Sequence, residues 1–170
     1  MTDYPEPLVP PGGTAPVPRR VQGMLADRWV FDSRRARYVW EFPPYPQYYI
    51  PLADLDSSLL VDDRQSRATP RGTAALHSLR VGDVVRSGVV QILGEDASPP
   101  LRQLARIAWS ALDAWYEEDE PIYVHPRNPY TRVDALRSTR SIRIKLSGVL
   151  LADSESPVMV FETGLPTRYY

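Results

Sequence analysis

The sequence predicts a mainly β, mostly antiparallel fold (α+β through a single helix). Three observations carry this. Two stretches alternate apolar and polar residues with period two, the mark of half-buried strands. One β-rich segment recurs later in the chain without a gap. Only one stretch places its apolar residues at the three-and-four spacing of a helix.

In chain order, the first 20 residues hold Pro5, Pro7, Pro10, Pro11, Pro16 and Pro18 beside Gly12 and Gly13. Such a segment favours extended, solvated backbone and buries little apolar surface. Residues 1–19 therefore read as a flexible leader, and 20–170 as a single compact domain. Within it, 20–95 form a first β unit, 96–137 a helix and loop, and 138–170 a partial second β unit.

The repeat places Asp32-Ser33 over Asp153-Ser154, an offset of 121, so that 21–49 align with 142–170. Leu25/Leu146, Val39/Val160, Glu41/Glu162, Tyr48/Tyr169 and Tyr49/Tyr170 are identical, and apolar positions coincide throughout. Self-similarity at a fixed offset is read as an internal duplication. In the second copy Ile142, Ile144 and Leu146 alternate with Arg143, Lys145 and Ser147. Ser147-Gly148 then turns the chain into Val149–Ala152, Pro157–Glu162 gives a third strand, and Arg168-Tyr169-Tyr170 opens a fourth. The first copy runs on past its Tyr-Tyr and the second stops there, so the second is expected to be truncated. Segment 157–170 is then expected to be tied into the first copy's sheet or beside the helix, because a short unit cannot build its own core.

Between the copies, residues 75–93 alternate around Gly82-Asp83 as a hairpin. Leu101, Leu104, Ala105, Ala108, Ala111, Leu112 and Trp115 then form one apolar stripe after Ser98 and Pro99-Pro100. That spacing, with an N-cap residue and prolines suited to a first turn, predicts an amphipathic helix near 99–117.

Composition narrows function. Twenty Lys+Arg face 21 Asp+Glu, a balance that argues against nucleic-acid binding. There is no Cys, and only His77 and His125 are available as imidazole ligands, so neither a metal site nor a cofactor is expected. No apolar run reaches membrane-spanning length and no secretion-signal layout is present, so a cytoplasmic location without a membrane partner is expected.

Three segments carry a family resemblance: 112–120 (Leu-Asp-Ala-Trp-Tyr-Glu-Glu-Asp-Glu), 124–134 with its His-Pro-Arg-Asn-Pro-Tyr, and 161–170 with its Glu-Thr-Gly-Leu-Pro. With Asp32-Ser33-Arg34-Arg35-Ala36, they resemble two-copy bacterial members of the domain of unknown function 427 family, sometimes labelled nucleotidyltransferase-like. The resemblance implies a tent-like, Mss4-like β fold and no established activity. Typical units of that family carry Cys-Pro-Tyr-Lys-Gly where this chain has Ala68-Thr69-Pro70-Arg71-Gly72.

The candidate sites follow from residue chemistry. In 125–130 two prolines stiffen a loop that presents His125, Arg127 and Tyr130. A His serves as acid or base near neutrality and an Arg grips carboxylate or phosphate. The alternative is a rigid connector whose Arg127 pairs with the acidic run 117–120. Glu41 and Glu162 hold equivalent places, Glu162 with Arg168 close behind. Equivalent residues of a repeat more often hold the fold than do chemistry. Asp54-Leu55-Asp56 has the spacing of a magnesium pair but no supporting turn, which favours a cap or loop reading. Adjacent strand residues point to opposite faces, so Tyr48 and Tyr49 are not expected both to be core, and one should line a groove. The candidates are thus His125, Arg127 and Glu162 for catalysis, and Tyr48, Tyr130, Arg168 and Tyr169 for ligand binding. Two functions stand: a small-molecule-binding or structural module with an aromatic-lined pocket, or an enzyme on a nucleotide-like or phosphorylated small molecule. Oligomeric state is not readable.

Overall fold

The computed structural model describes residues 12–42, 45–162 and 165–170. In chain order its strands begin with β1 (Thr14–Pro16), β2 (Val21–Leu25), β3 (Arg28–Ser33), β4 (Arg37–Phe42), β5 (Tyr45–Pro51), β6 (Leu60–Thr69), β7 (Gly72–Val81) and β8 (Val84–Leu93). They continue with β9 (Leu104–Ile107), β10 (Ala114–Glu117), β11 (Glu120–Ile122), β12 (Val133–Arg137), β13 (Ile142–Leu146), β14 (Val149–Ser154), β15 (Val158–Glu162) and β16 (Arg168–Tyr169). All pairings between these strands are antiparallel. A seven-stranded sheet runs β1-β4-β5-β9-β8-β7-β6, and a four-stranded sheet runs β11-β10-β2-β3. Strands β12-β15-β16 form a third sheet, and β13-β14 stand as a two-stranded hairpin. The expected hairpin at 75–93 is β7–β8, lengthened by β6 on its outer side. Among the described residues no helix is long and apolar enough to cross a membrane.

The main core lies where the two large sheets meet. Val21, Leu25, Val30 and Phe31 pack there with Tyr38, Trp40, Tyr48 and Ile50. Trp115 is its hub, 5.4 Å from the Phe31 ring and stacked on Trp109 at 4.6 Å. A second core covers the opposite face of the seven-stranded sheet, where Val39, Tyr49 and Leu104 meet Ala74, Leu93, Ala97 and Leu101. This corrects the tyrosine expectation. Tyr48 and Tyr49 do point to opposite faces, but both faces are covered and both side chains are buried.

The helix near 99–117 is also corrected. That segment contains two 3-10 turns, Pro99–Leu101 and Trp109–Ala111, separated by β9 and followed by β10. Ser98 makes no side-chain cap, and Gln103 sits at φ 56, which no helix interior allows. The apolar stripe is nonetheless buried at Leu101, Leu104, Ala105, Ala111, Leu112 and Trp115. The segment crosses from one sheet to the other, so Leu104 faces the outer core and Ala105 the inner one. Adjacent buried residues of this kind imitate a helical stripe.

Two boundary expectations change as well. Residues 12–19 belong to the fold: β1 pairs with β4, and Val17 and Arg19 are buried. The rest of the expected leader, 1–11, lies outside the described residues. Segment 157–170 joins neither the first sheet nor a helix, because β15 pairs with β12 and β16. The pairing registers coincide at the offset of 121. Ile142 opposite Ser154 repeats Val21 opposite Ser33, and the irregularity after Ile144 repeats the one after Gly23. Leu136 opposite Met159 repeats Ala15 opposite Tyr38, and Met159 opposite Tyr169 repeats Tyr38 opposite Tyr48.

Candidate functional site

The end of β10 carries the densest chemistry. Glu117 is fully buried, and it receives the Tyr48 hydroxyl and both terminal nitrogens of Arg132, Nη2 at 2.7 Å and Nη1 at 3.3 Å. Arg19 Nε lies 3.5 Å from the same carboxylate. Arg19 also donates to the Tyr38 hydroxyl at 3.1 Å and to Asp134 at 3.3 Å, and its guanidinium lies over the Phe161 ring, 4.4 Å from the centroid. Arg132 Nε donates to Asp134, whose second oxygen receives Arg127 at 3.0 Å. Three guanidiniums thus share two carboxylates at the seam between the first sheets and the β12–β15 sheet. Buried charges persist only when paired and hydrogen-bonded in this way.

The ionisation of the seam follows from its burial. Burial alone would pull the Arg132 pKa down. Its hydrogen bond to Asp134 and the Glu117 charge outweigh this and hold it above the ordinary arginine value. Burial, aided by the Glu117 charge, pushes the Tyr38 phenol up to about 12 and raises Tyr48 as well. Next in the chain, Glu118 at φ 54 is equally buried. It accepts the Arg20 N–H at 2.8 Å, the Ser138 hydroxyl at 2.9 Å and Arg140.

Beside this network opens a cleft of about 350 Å³. Pro16, Arg19, Tyr130, Phe161, Glu162 and Thr167 are among its lining residues. The stiff loop positions Tyr130, because Asn128 Oδ1 accepts the Tyr130 N–H at 3.0 Å and closes a 3-10 turn over Pro129–Thr131. The Tyr130 ring then rests 5.6 Å from buried Trp40.

Of the residues singled out in the sequence, Tyr130 and Glu162 line the cleft. Arg168 is held by Glu162, and Arg127 reaches the cleft's charged lining through Asp134. His125 stands apart: its ring stacks on Tyr45 at 3.8 Å and its Nδ1 lies 2.8 Å from the Pro126 carbonyl oxygen. Tyr48 is interior, and Tyr169 is exposed on β16. Arg127 pairs with Asp134 and not with the acidic run. Glu41 accepts Tyr49 Oη at 2.7 Å and Arg106 Nε at 3.0 Å, a contact within the first sheet. Asp56 caps the 3-10 turn Ser57–Leu59, and Asp54 accepts the Ser33 hydroxyl and Arg35, so neither carboxylate is free to form a metal pair. Among the described residues no group of three or more His, Asp and Glu could hold a metal ion.

Sequence reasoning missed Arg19, Arg132, Asp134 and the buried Glu117-Glu118 pair. One signal was available: two acids directly continuing an apolar stripe, with arginines abundant downstream.

No curated protein matches the chain. The sequence model of one family, described as a domain of unknown function, matches residues 14–118 and 134–170. With most of its length matched in these two stretches, the chain belongs to the DUF427 family.

Proposed function

We propose that the protein is a non-enzymatic binding module built from two related β units, with the seam cleft as its binding site. The carrying observation is convergence: Arg19, Tyr130 and Phe161–Glu162 come from three distant parts of the chain to one cleft of about 350 Å³. That volume suits a small molecule, and apolar walls with a few polar groups suit a planar, partly polar one. Tyr130 supplies an exposed flat surface, Arg19 stacked on Phe161 a buried positive charge behind it, and Glu162 an acceptor shared with Arg168. The scattered employment of His125 and Arg127 weighs against the enzyme reading, since neither lines the cleft. The coincident registers and the two-part family match support an internal duplication of tent-like, Mss4-like units. A cytoplasmic location completes the reading, supported by the absence of cysteine.

The test is a thermal-shift screen of the full chain against nucleosides, nucleotides and sugar phosphates, followed by calorimetry on any hit. A ligand bound only by the native state raises the melting temperature. Tyr130→Ala should weaken that ligand by at least about tenfold, roughly 1.4 kcal/mol, while melting of the free protein stays near wild type. Equal binding to Tyr130→Ala would sink the proposal. Turnover of a phosphorylated compound that His125→Ala abolishes would establish the enzyme reading instead.

A further inference from the structure

The seven-stranded sheet carries a second cluster of charge, on the face turned away from the main core. Arg37 lies opposite Tyr49, Tyr49 opposite Arg106 and Arg106 opposite Gln91, so these side chains form one row on one face. Glu41 reaches the row from further along β4: its Oε1 accepts Tyr49 Oη at 2.7 Å and Arg106 Nε at 3.0 Å. The tip of the β6–β7 hairpin comes to the same place. Thr69 Oγ1 donates to the Gly72 carbonyl at 2.7 Å and accepts the Arg71 N–H at 3.1 Å, which fixes the turn. Arg71 Nη2 then donates to the Trp40 carbonyl at 3.4 Å, and its Nη1 stands 3.9 Å from the same Glu41 oxygen. Strands distant in the chain thus bring their cations to one carboxylate.

Three guanidiniums share Glu41 as their one carboxylate, which leaves an excess of two positive charges. Arg37 has no ion-pair partner among the described residues, and its Nε donates to Thr14 Oγ1 at 3.0 Å. Arg106 commits Nε to Glu41, and Arg71 Nε is buried without a partner. Burial and the Glu41 charge raise the Tyr49 pKa while Arg71 and Arg106 pull against them, so both cations act at the Tyr49 hydroxyl. All three arginines stay partly exposed and within reach of a solute. We infer that this corner, between the hairpin tip and β4, is a binding site for a phosphate group, free or carried by a small phosphomonoester. A dianion matches the excess of two charges, and guanidinium forks match the geometry of phosphate oxygens. Glu41 orients Arg106 and Tyr49 and limits the positive excess. Gln91, beside Arg106, adds a neutral donor. None of these residues lines the seam cleft, so the site is separate from it.

The probe is inorganic phosphate, titrated calorimetrically into the full chain at constant ionic strength over a chloride background, with glycerol phosphate as a second arm. Phosphate should saturate. Arg71→Gln or Arg106→Gln should weaken it by about tenfold or more, the loss of a charge-assisted hydrogen bond. Glu41→Gln keeps an oxygen acceptor for Tyr49 and Arg106 and removes the competing charge, so it should tighten phosphate by about threefold. A gain of affinity cannot come from a damaged fold, so this variant decides the matter even where an arginine variant fails to fold. Tyr130→Ala should leave phosphate binding unchanged, whatever it does to ligands of the seam cleft. Glycerol phosphate binding more tightly than phosphate assigns the site to esters, and the reverse order assigns it to the free anion. Absence of saturation at millimolar phosphate would overturn the inference. So would wild-type affinity in Glu41→Gln together with the arginine variants, since the cluster would then only clamp the hairpin tip to β4.

Discussion

Replacing Glu117 by Gln keeps the side chain's shape and removes one negative charge from a fully buried site. Arg19 and Arg132 then retain Asp134 as their shared carboxylate, and Arg127 already draws on its other oxygen. Breaking a buried, hydrogen-bonded ion pair from one side costs about 3–5 kcal/mol. Domains of this kind hold roughly 5–15 kcal/mol in all. With a urea dependence of about 2 kcal/mol per molar, the unfolding midpoint should fall by about 2 M. The assay is equilibrium urea unfolding followed by the fluorescence of the four tryptophans, with Arg132→Met and the double variant completing a cycle. The double variant should be less destabilised than the sum of the singles by about 2 kcal/mol, because it leaves no orphaned partner in that pair. A Glu117→Gln protein within about 0.5 kcal/mol of wild type, or strict additivity in the cycle, would refute the view that this network holds the seam.

Two further outcomes follow from the interior. A Cβ on Gly23 would overlap the Phe31 ring and the Leu112 side chain, so Gly23→Ala should cost about 1–3 kcal/mol by overpacking, measured by the same urea titration. Tyr38, Tyr48 and Tyr49 have folded pKa values raised by burial, Tyr38 to about 12. Above about pH 10 the unfolded chain loses these phenolic protons while the native state keeps them, so their stabilisation is full below pH 10 and is lost as pH rises toward 12. Absorbance at 295 nm should show three of the ten tyrosines ionising late and together with unfolding; a single smooth phase for all ten would contradict it.

How far the fold could be read from the sequence depended on whether a strand had one covered face or two. The hairpin around Gly82 and strand β15 were legible because one side of each is more exposed than the other, which preserves alternation. Strands β13 and β14 were marked by the alternation of 142–147 and the Ser147-Gly148 turn, although both their faces are exposed. Strands β5 and β9 carry buried side chains on both faces, and there alternation vanishes: Tyr48 and Tyr49 both became core, and Leu104-Ala105 read as helix. The candidate site was legible in Tyr130 and Glu162, where loop stiffness and the repeat marked them. Arg19 was hidden because it sits in a proline-rich stretch that composition assigns to solvent. Glu117 and Glu118 were hidden because an acidic run ordinarily marks a surface, and only the arrival of Arg132 and Arg140 from downstream makes their burial tolerable.

The pairing of β2 with β10 joins residues 21–24 to residues 114–117. The β2–β3 hairpin can form as soon as that stretch is free, but its inner edge must wait until nearly the whole of the first unit has been made. Folding dominated by such distant pairings is slow, on the order of milliseconds to seconds. During synthesis Val21, Leu25 and Phe31 therefore stay partly uncovered until residues 112–117 have been made. The nascent chain's exposure to chaperones and to misassociation is set by that delay, and it ends when Trp115 leaves the ribosome.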